Sequence, residues 1–537
     1  MREIGIVGSG PMAIYLLKHL ASGDEPLSIS IFEASSTAGM GMPYDPAFNA
    51  DYMLCNAFSR EIPAPVRPLV DWLKDRPARE LGEWELSAHD LTARAFYPRV
   101  LIGEYLHSQF GDLCEKARRA GHRVAVRTQC RVTDIEAGDA GKATIFYDNG
   151  KSAKKQQFDE VVIASGHNWP NAPDIDGVTL VSPWPYTNIT GLEQDNIGIL
   201  GSSLSAIDIV VAIGHARGAF DEDGDGIRWL PDDEGCGLQV TMVSHMGIMP
   251  EGDFYYPFPY EPLTCLTPEA IAQEMAQGDD CLLDRVFALL CEELDAADPD
   301  YLASLPDSAR SVEGFAPAYF ARRRDVGGLR AVKRDLAGAR ETMRRKETIP
   351  HRYALLRGHE AFDRILRQLP EKQYDRFLDH LMPVFADCYA AVPHLSLARI
   401  IALHDAGVLQ LVATEDGAEF SADEAGQIIV ETENGTAAFD VMVDARGQSP
   451  ASLTDLPFPR LVEALHAPEM PVLKPFALKL EARKPVLSTA WRCHSFSSVI
   501  RFRRGWWNVP ASRAALPTIY WAGQQPADSG FAWADPG

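Results

Sequence analysis

Apolar positions open this chain as a strand. Ile4-Gly5-Ile6-Val7 is followed by the turn Gly8-Ser9-Gly10, a helix-like run from Pro11, and a second apolar strand, Ile29-Ser30-Ile31-Phe32, that ends on Glu33. Strand, Gly-rich turn, helix and strand with a terminal acid form the dinucleotide-binding fingerprint in its expected context, with Ala13 at the third small position. Gly8 suits the tight turn and Gly10 admits a pyrophosphate close to main-chain N–H groups. Ala13 lets the helix lie close to the strand, and the start Pro11-Met12 aims the helix N-terminus at the phosphates. Glu33 is placed to accept hydrogen bonds from a ribose.

The same pattern recurs. Asn196-Ile197-Gly198-Ile199-Leu200 leads into Gly201-Ser202-Ser203 and a helix containing Ala206, a Gly-x-Ser-x-x-Ala version of the turn. The strand Leu238–Val243 that follows ends at Ser244-His245, with no carboxylate to hold a free 2′-hydroxyl. Ser244 and His245 suit a 2′-phosphate, so NADPH is expected, with NADH as the alternative. Two dinucleotides in one chain imply one electron carrier passing hydride to another.

Around these units the pattern alternates with period two at Val124–Val126, Arg131–Ile135 and Ala143–Tyr147, and Asp148-Asn149-Gly150 reads as a turn. Phe96-Tyr97-Pro98-Arg99 opens a helix from Val100 to Phe110. Phe158–Ile163 reads as a buried parallel strand that ends at Ala164-Ser165-Gly166-His167, and a Pro-rich exit follows. Phe439–Gly447 repeats that form. The stretch Thr518–Gly523 reads as a last strand. From Pro268 to about Leu403 the spacing turns helical, at Ala270–Met275, Leu282–Leu294, Ala361–Leu369 and Tyr374–Leu381.

The fold expected is therefore α/β: two Rossmann-like dinucleotide-binding domains with a mainly helical insert. The boundaries expected are 1–190 for the first part of the first dinucleotide-binding domain and 191–265 for the first part of the second. The insert takes 266–403, return strands of the second dinucleotide-binding domain take 404–438, and 439–537 completes the first. A chain of 537 residues exceeds one ordinary core.

Charge and cysteine content narrow the class. A net charge of −24 argues against nucleic acid or an anionic membrane as partner. The start Met1-Arg2 resembles a signal peptide only superficially, because Glu3 and the Gly fingerprint interrupt it. No run of about 18 apolar residues exists to span a membrane. The nine cysteines are scattered, with no Cys-x-x-Cys pair. A reduced cytoplasm is the natural compartment, and a redox dithiol is absent.

Two further stretches have a sharper and a blander reading. Phe220–Gly226 mimics a calcium loop, but Asp232 stands at the twelfth position and Pro231 denies an exit helix, so it reads as a solvated acidic loop. The arginines Arg322-Arg323-Arg324, Arg340, Arg344-Arg345 and Arg352 read as solvated helix faces, or as a clamp for a substrate carboxylate.

With both fingerprints, Gly39–Tyr44, Asn56, Phe96–Tyr105, Ala164–His167, Ala445–Gly447 and Ala522-Gly523 in hand, the chain resembles the FAD/NAD(P)-binding flavoproteins of the two-dinucleotide-domain class. Amino-acid N-monooxygenases, including aspartate oxidisers that make nitrosuccinate, belong to that class. Ornithine and lysine N-hydroxylases and Baeyer–Villiger enzymes are more distant members. The resemblance implies that Gly8, Ser9, Gly10, Pro11, Met12, Ala13, Glu33, Gly41, Met42, Asn56, Arg99, Val132, Ser165, Gly166 and Gly523 meet FAD. It implies that Gly201, Ser202, Ser203, Ala206, Ser244 and His245 meet NAD(P)H. NADPH then reduces FAD, and oxygen adds to the flavin before one atom passes to a small nucleophilic substrate. No metal is expected.

Three features depart from the class. The Baeyer–Villiger linker His is absent where Ser182 or Pro183 falls, and His245 stands where relatives often carry Arg. Gln524 replaces an acid after the last Gly. The competing readings are a flavin dehydrogenase or reductase without oxygen transfer, and a non-catalytic module that holds FAD.

Overall fold

A computed structural model describes residues 1–23, 25–137, 142–166, 174–223, 226–366, 368–390, 392–415, 417–433, 435–447, 456–465, 498–501 and 518–523. The chain divides into two compact units, 1–168 with 448–537, and 169–447. His167 and Gln524 lie outside the described residues.

In the first unit the strands run in the order Ser498–Arg501, Thr518–Gly523, Glu160–Ile163, Arg2–Val7, Leu27–Phe32 and Arg123–Arg127. All pairs are parallel except that of Ser498–Arg501 with Thr518–Gly523. Such a sheet must be covered on both faces, which is why its strands are apolar at successive positions. Ile4, Ile6, Ile29 and Ile31 pack with Ile14, Leu17, Leu101 and Tyr105 of the helices Pro11–Leu20 and Arg99–Arg119. Val7, Phe32, Val161 and Ile163 pack with Ile135, Ile145 and Phe158 of the three-stranded antiparallel sheet Arg131–Ala137, Ala143–Asp148 and Ala153–Phe158. Gly5 makes that approach possible, since a Cβ there would meet Ile145 at 2.7 Å.

The second unit repeats the plan. Its four parallel strands run Leu409–Ala413, Gln239–Ser244, Asn196–Leu200 and Val441–Asp444. A three-stranded antiparallel sheet, Glu419–Ala422, Ile428–Thr432 and Gly435–Phe439, again precedes the last of them in sequence. Gly198 plays the part of Gly5: a Cβ there would meet Phe439 at 2.9 Å. Val441–Asp444 pairs with Asn196–Leu200, so this strand belongs to the second sheet, beyond the 438/439 boundary expected from sequence.

Helices fill the connection between Ser244 and Leu409, from Pro268–Ala276 to His394–Asp405. Local signals start several of them: Thr267 caps Ala270 ahead of Pro268, Asp298 caps Tyr301, and Ser311 caps Gly314. Three expectations need correction. Of the acidic stretch expected as a loop, Phe220–Asp223 and Gly226 belong to the two strands of a hairpin, Gly218–Asp223 with Gly226–Pro231, in which Phe220 opposes Trp229. The helix opened by Arg99 continues to Arg119, past Phe110, because Leu113, Cys114 and Ala117 extend its buried stripe. The helix expected at Ala361–Leu369 instead ends at Phe362 and gives way to turns.

Candidate functional site

Both parallel sheets end, at their C-terminal edges, in the same pair of main-chain contacts. In the first unit Gly8 N–H donates to Phe32 O at 2.8 Å and Ala164 N–H to Val7 O at 2.7 Å. In the second, Gly201 N–H donates to Val243 O at 2.7 Å and Ala445 N–H to Leu200 O at 2.9 Å. Gly8 has φ +94° and Gly201 φ +125°, conformations that L side chains avoid. A Cβ at Gly8 would stand 2.2 Å from Ala164 O, and one at Gly201 2.8 Å from Ala445 O. Each glycine closes a turn that no side chain fits.

The turns deliver the chain to the helices Pro11–Leu20 and Leu204–Ala216. Neither helix has a side-chain cap on its N-terminus or an acid in its first turn. Among the described residues their first-turn amides, those of Met12 and Ala13 in one and Ser205 and Ala206 in the other, have no side-chain cap and are open to an external acceptor. This is the arrangement a pyrophosphate needs, and the residues fit one at both turns. Gly41, at φ +82°, packs on the entry: a Cβ there would meet Pro11 Cδ at 2.8 Å.

Glu33 is held from both sides. Its Oε2 accepts Ser9 N–H at 3.2 Å and the Ser9 hydroxyl at 2.6 Å. Its Oε1 accepts Ser35 N–H at 2.9 Å, with the Ser35 hydroxyl 3.1 Å away. That hydroxyl has one proton and lies 2.8 Å from Thr37 O, the shorter acceptor. Oε1 therefore keeps acceptor capacity for a ribose hydroxyl, and Glu33 fits the adenosine end of a dinucleotide. Ser9, fully buried, serves Glu33 and accepts Gly39 N–H at 2.9 Å; its hydroxyl is committed to the protein.

The other residues expected at FAD fall into groups. Val132 follows Cys130, whose N–H donates to Glu33 O at 2.8 Å. Ser165 and Gly166 are exposed just beyond Ala164, and Gly523 ends the strand paired beside Glu160–Ile163. Asn56 and Arg99 lie on two segments zipped together by Cys55 N–H to Tyr97 O and Arg99 N–H to Met53 O. Arg99 Nε also donates to Leu54 O at 3.1 Å. Met42 opens a short 3-10 turn, and Asn49 donates to its carbonyl at 2.9 Å.

In the second unit Ser202 lies 2.9 Å from the Ser244 hydroxyl and donates to Ile248 O at 2.5 Å. Ser203 is the N-cap and Ala206 is buried. His245 is exposed, and its carbonyl accepts Glu415 N–H. Arg446 adds a guanidinium at this edge, tied to Asp444 at 2.8 and 2.9 Å. Of the arginines in the insert, Arg344 and Arg345 pair with Glu341 at the surface. Arg323 and Arg352 are buried on partners of their own chain. Among the described residues no cluster of His, Cys, Asp and Glu is arranged to hold a metal ion, and no helix is long and apolar enough to cross a membrane.

Comparison with known proteins follows the same division. A family model described as FAD-NAD(P)-binding matches residues 5–168, and a YdhS-like middle domain matches residues 267–389. Uncharacterized protein YdhS of Escherichia coli (strain K12) is 38% identical over 466 residues, covering 87% of this chain and 86% of that one. The chain belongs to the YdhS family. It is a member that carries an FAD–NAD(P)-binding domain, in agreement with the resemblance to two-dinucleotide flavoproteins, and FAD and NAD(P) are its cofactors.

Solved structures give looser overlays. An ornithine N-hydroxylase of Kutzneria sp. 744 matches with TM-score 0.38 and 14% identity, over 85% of this chain and 83% of that one. Ornithine hydroxylase PvdA from Pseudomonas aeruginosa gives 0.39 and 12%, over 86% of each. L-lysine 6-monooxygenase from Pseudomonas syringae gives 0.35 and 15%, over 84% and 82%.

Proposed function

We propose that this YdhS-family protein is an FAD-dependent NAD(P)H oxidoreductase. FAD resides at Gly8–Glu33, and a nicotinamide dinucleotide is received at Gly201–Ser203. One observation carries this reading: the glycine turn and uncapped helix start occur twice, at matching edges of two parallel sheets. A protein that needed only one dinucleotide has no use for the second. When bound, FAD relays two electrons from the nicotinamide to a second substrate.

The chain's own residues then have assignable parts. Gly8 and Gly10 admit the pyrophosphate of FAD, the Pro11 helix start supplies amides and positive dipole, and Glu33 Oε1 accepts a ribose hydroxyl. Gly201, Ser203 and Ala206 do the same for the incoming dinucleotide. Ser244 and His245 favour the 2′-phosphate of NADPH, because the second strand ends on a hydroxyl and an imidazole where Glu33 stands in the first.

The second substrate is O2, and the reaction a monooxygenation of a small nucleophile, with an amino acid as the leading class. This finer reading rests on the sequence resemblance. NADPH consumption and hydrogen peroxide release, measured together on FAD-loaded protein in air with a panel of amino acids, test it. At least one amino acid is expected to lower the peroxide released per NADPH and to appear in hydroxylated form. Peroxide equal to NADPH consumed with every compound would contradict oxygen transfer and leave a reductase. Absence of NADPH and NADH oxidation, even with ferricyanide as acceptor, would leave only a flavin-holding module.

A further inference from the structure

Between Ser244 and Pro268 the chain forms no helix and no strand of a sheet, so its main-chain groups must find partners elsewhere. The stretch from Ile248 to Tyr255 finds them on Ser202, on helices of the insert and on Val392, which pairs with Gly252 as a single bridge. It begins at the second fingerprint, where Ser202 donates to Ile248 O. At the next residue Arg323 Nη1 donates to Met249 O at 3.1 Å, while Asp387 grips both Arg323 terminal nitrogens at 3.0 and 2.6 Å. Arg352 Nη2 donates to Gly252 O at 3.1 Å, and Gly252 N–H donates to Asp335 Oδ2 at 2.6 Å. His394 meets Asp253 O at 2.7 Å, and Thr342 accepts Tyr255 N–H at 3.0 Å.

The centre of this clamp is a pair of carboxyl groups. Glu251 lies 3.2 Å from Arg352 Nε and Asp335 lies 3.6 Å from Arg352 Nη1, so both carboxyl groups are set on one guanidinium. Two carboxyl groups crowded into one buried site resist ionising together. Arg352 is buried and lies over the Phe254 ring at 4.3 Å. The charged and titratable groups around the pair are Arg352 and His351 on one helix, Arg323 and Tyr319 on a second, Asp387 on a third and Tyr301 on a fourth, with Asp253 buried in the segment itself. His351 is in turn bonded to Asp298 at 2.7 Å and stacked on Tyr301.

We propose that Glu251, Asp335, Arg323 and Arg352 are positioning residues for the second dinucleotide: they fix the segment Ile248–Tyr255 so that Ser202 and Ser244 are held for binding, and the two carboxyl groups set on one buried guanidinium make that hold depend on pH. The inference rests on the dinucleotide reading of Gly201–Ser203. Burial, then the Glu251 charge, pushes Asp335 up to about 7 against the pull of Arg352. Burial also opposes the charge on Glu251, but Arg352 and Arg323 outweigh it and keep that group below its usual range. Above pH 7 the pair carries two negative charges on either side of one guanidinium. Glu251 is then pushed from Asp335, against the hold of Arg352 and of the Gly252 N–H on Asp335, and the segment loosens.

The sign follows from linkage. The folded state holds the Asp335 proton more tightly than the unfolded chain does, so this contribution is full at low pH and is lost as pH rises through about 7. Dinucleotide affinity falls in the same direction.

Calorimetric titration of FAD-loaded protein with NADP⁺ from pH 6 to pH 8.5 tests this, comparing wild type with Asp335→Asn. Asparagine keeps an acceptor for Gly252 N–H and cannot ionise. The wild-type Kd is expected to rise between pH 6 and pH 8.5 by roughly fivefold more than that of the variant. Ionisation of the 2′-phosphate affects both proteins alike and cancels. Glu251→Gln, which removes the opposing charge, is expected to flatten the profile too, and it serves if Asp335→Asn does not fold. The same pH profile in wild type and either folded variant would overturn the proposal. Binding of neither NADP⁺ nor NADH at any pH would remove the dinucleotide reading, and this one with it.

Discussion

Ser9 and Glu33 are joined twice, through the Ser9 N–H at 3.2 Å and the Ser9 hydroxyl at 2.6 Å, both on Oε2. The bond ties the glycine turn after one strand to the acid that ends its neighbour. It leaves Oε1 with acceptor capacity beyond the Ser35 N–H. Substituting Ser9 by Ala removes a hydrogen bond to a charged acceptor, worth about 1.5–3 kcal/mol, and strips Gly39 N–H of its acceptor. Ser9→Ala is expected to weaken FAD binding by about one to two orders of magnitude, read by flavin fluorescence on titrating the apoprotein. Unchanged affinity would show that Glu33 needs no such brace.

Gly8 and Gly166 both have positive φ, +94° and +78°, but for different surroundings. At Gly8 a Cβ would lie 2.2 Å from Ala164 O, a main-chain atom fixed by strand pairing. At Gly166 no atom of the described residues lies within 4 Å. Gly166→Ala therefore bears only the backbone cost of about 1–2 kcal/mol. Gly8→Ala adds a steric clash and is expected to cost roughly 3 kcal/mol or more. Thermal unfolding of the two variants distinguishes them: equal falls in Tm would mean that the turn at Gly8 is not closed as described.

The glycine turns were legible in the sequence because their chemistry is local. Gly8, Gly10 and Ala13, or Gly201, Ser203 and Ala206, sit within one turn of chain between an apolar strand and a helix, and the spacing itself is the signal. The hairpin Gly218–Pro231 was hidden by its acids, since Asp221, Glu222 and Asp223 look like a solvated loop although Phe220 and Trp229 face each other across it. The clamp around Glu251 was hidden for another reason. Arg323 finds Asp387 64 residues away, Gly252 finds Asp335 83 residues away, and Arg352 returns to Gly252 across 100. No periodicity records such pairings. A run such as Arg322-Arg323-Arg324 looks uniform, yet Arg323 is buried on Asp387. Nor does sequence show that Ser9, in the middle of the fingerprint, spends its hydroxyl on Glu33.

The central claim is that electrons enter at the second fingerprint and reach flavin held at the first. Anaerobic reduction of FAD-loaded protein by NADPH, followed by flavin absorbance, tests it most directly when wild type is compared with Gly201→Val. Valine at φ +125° would place its Cβ 2.8 Å from Ala445 O and close the turn to a pyrophosphate. The account predicts rapid bleaching of wild-type flavin by NADPH and at least a hundredfold slower bleaching of the variant, a loss of about 2.7 kcal/mol. Flavin content and bleaching by dithionite stay equal in the two proteins. Bleaching of a folded Gly201→Val protein at the wild-type rate would contradict the account.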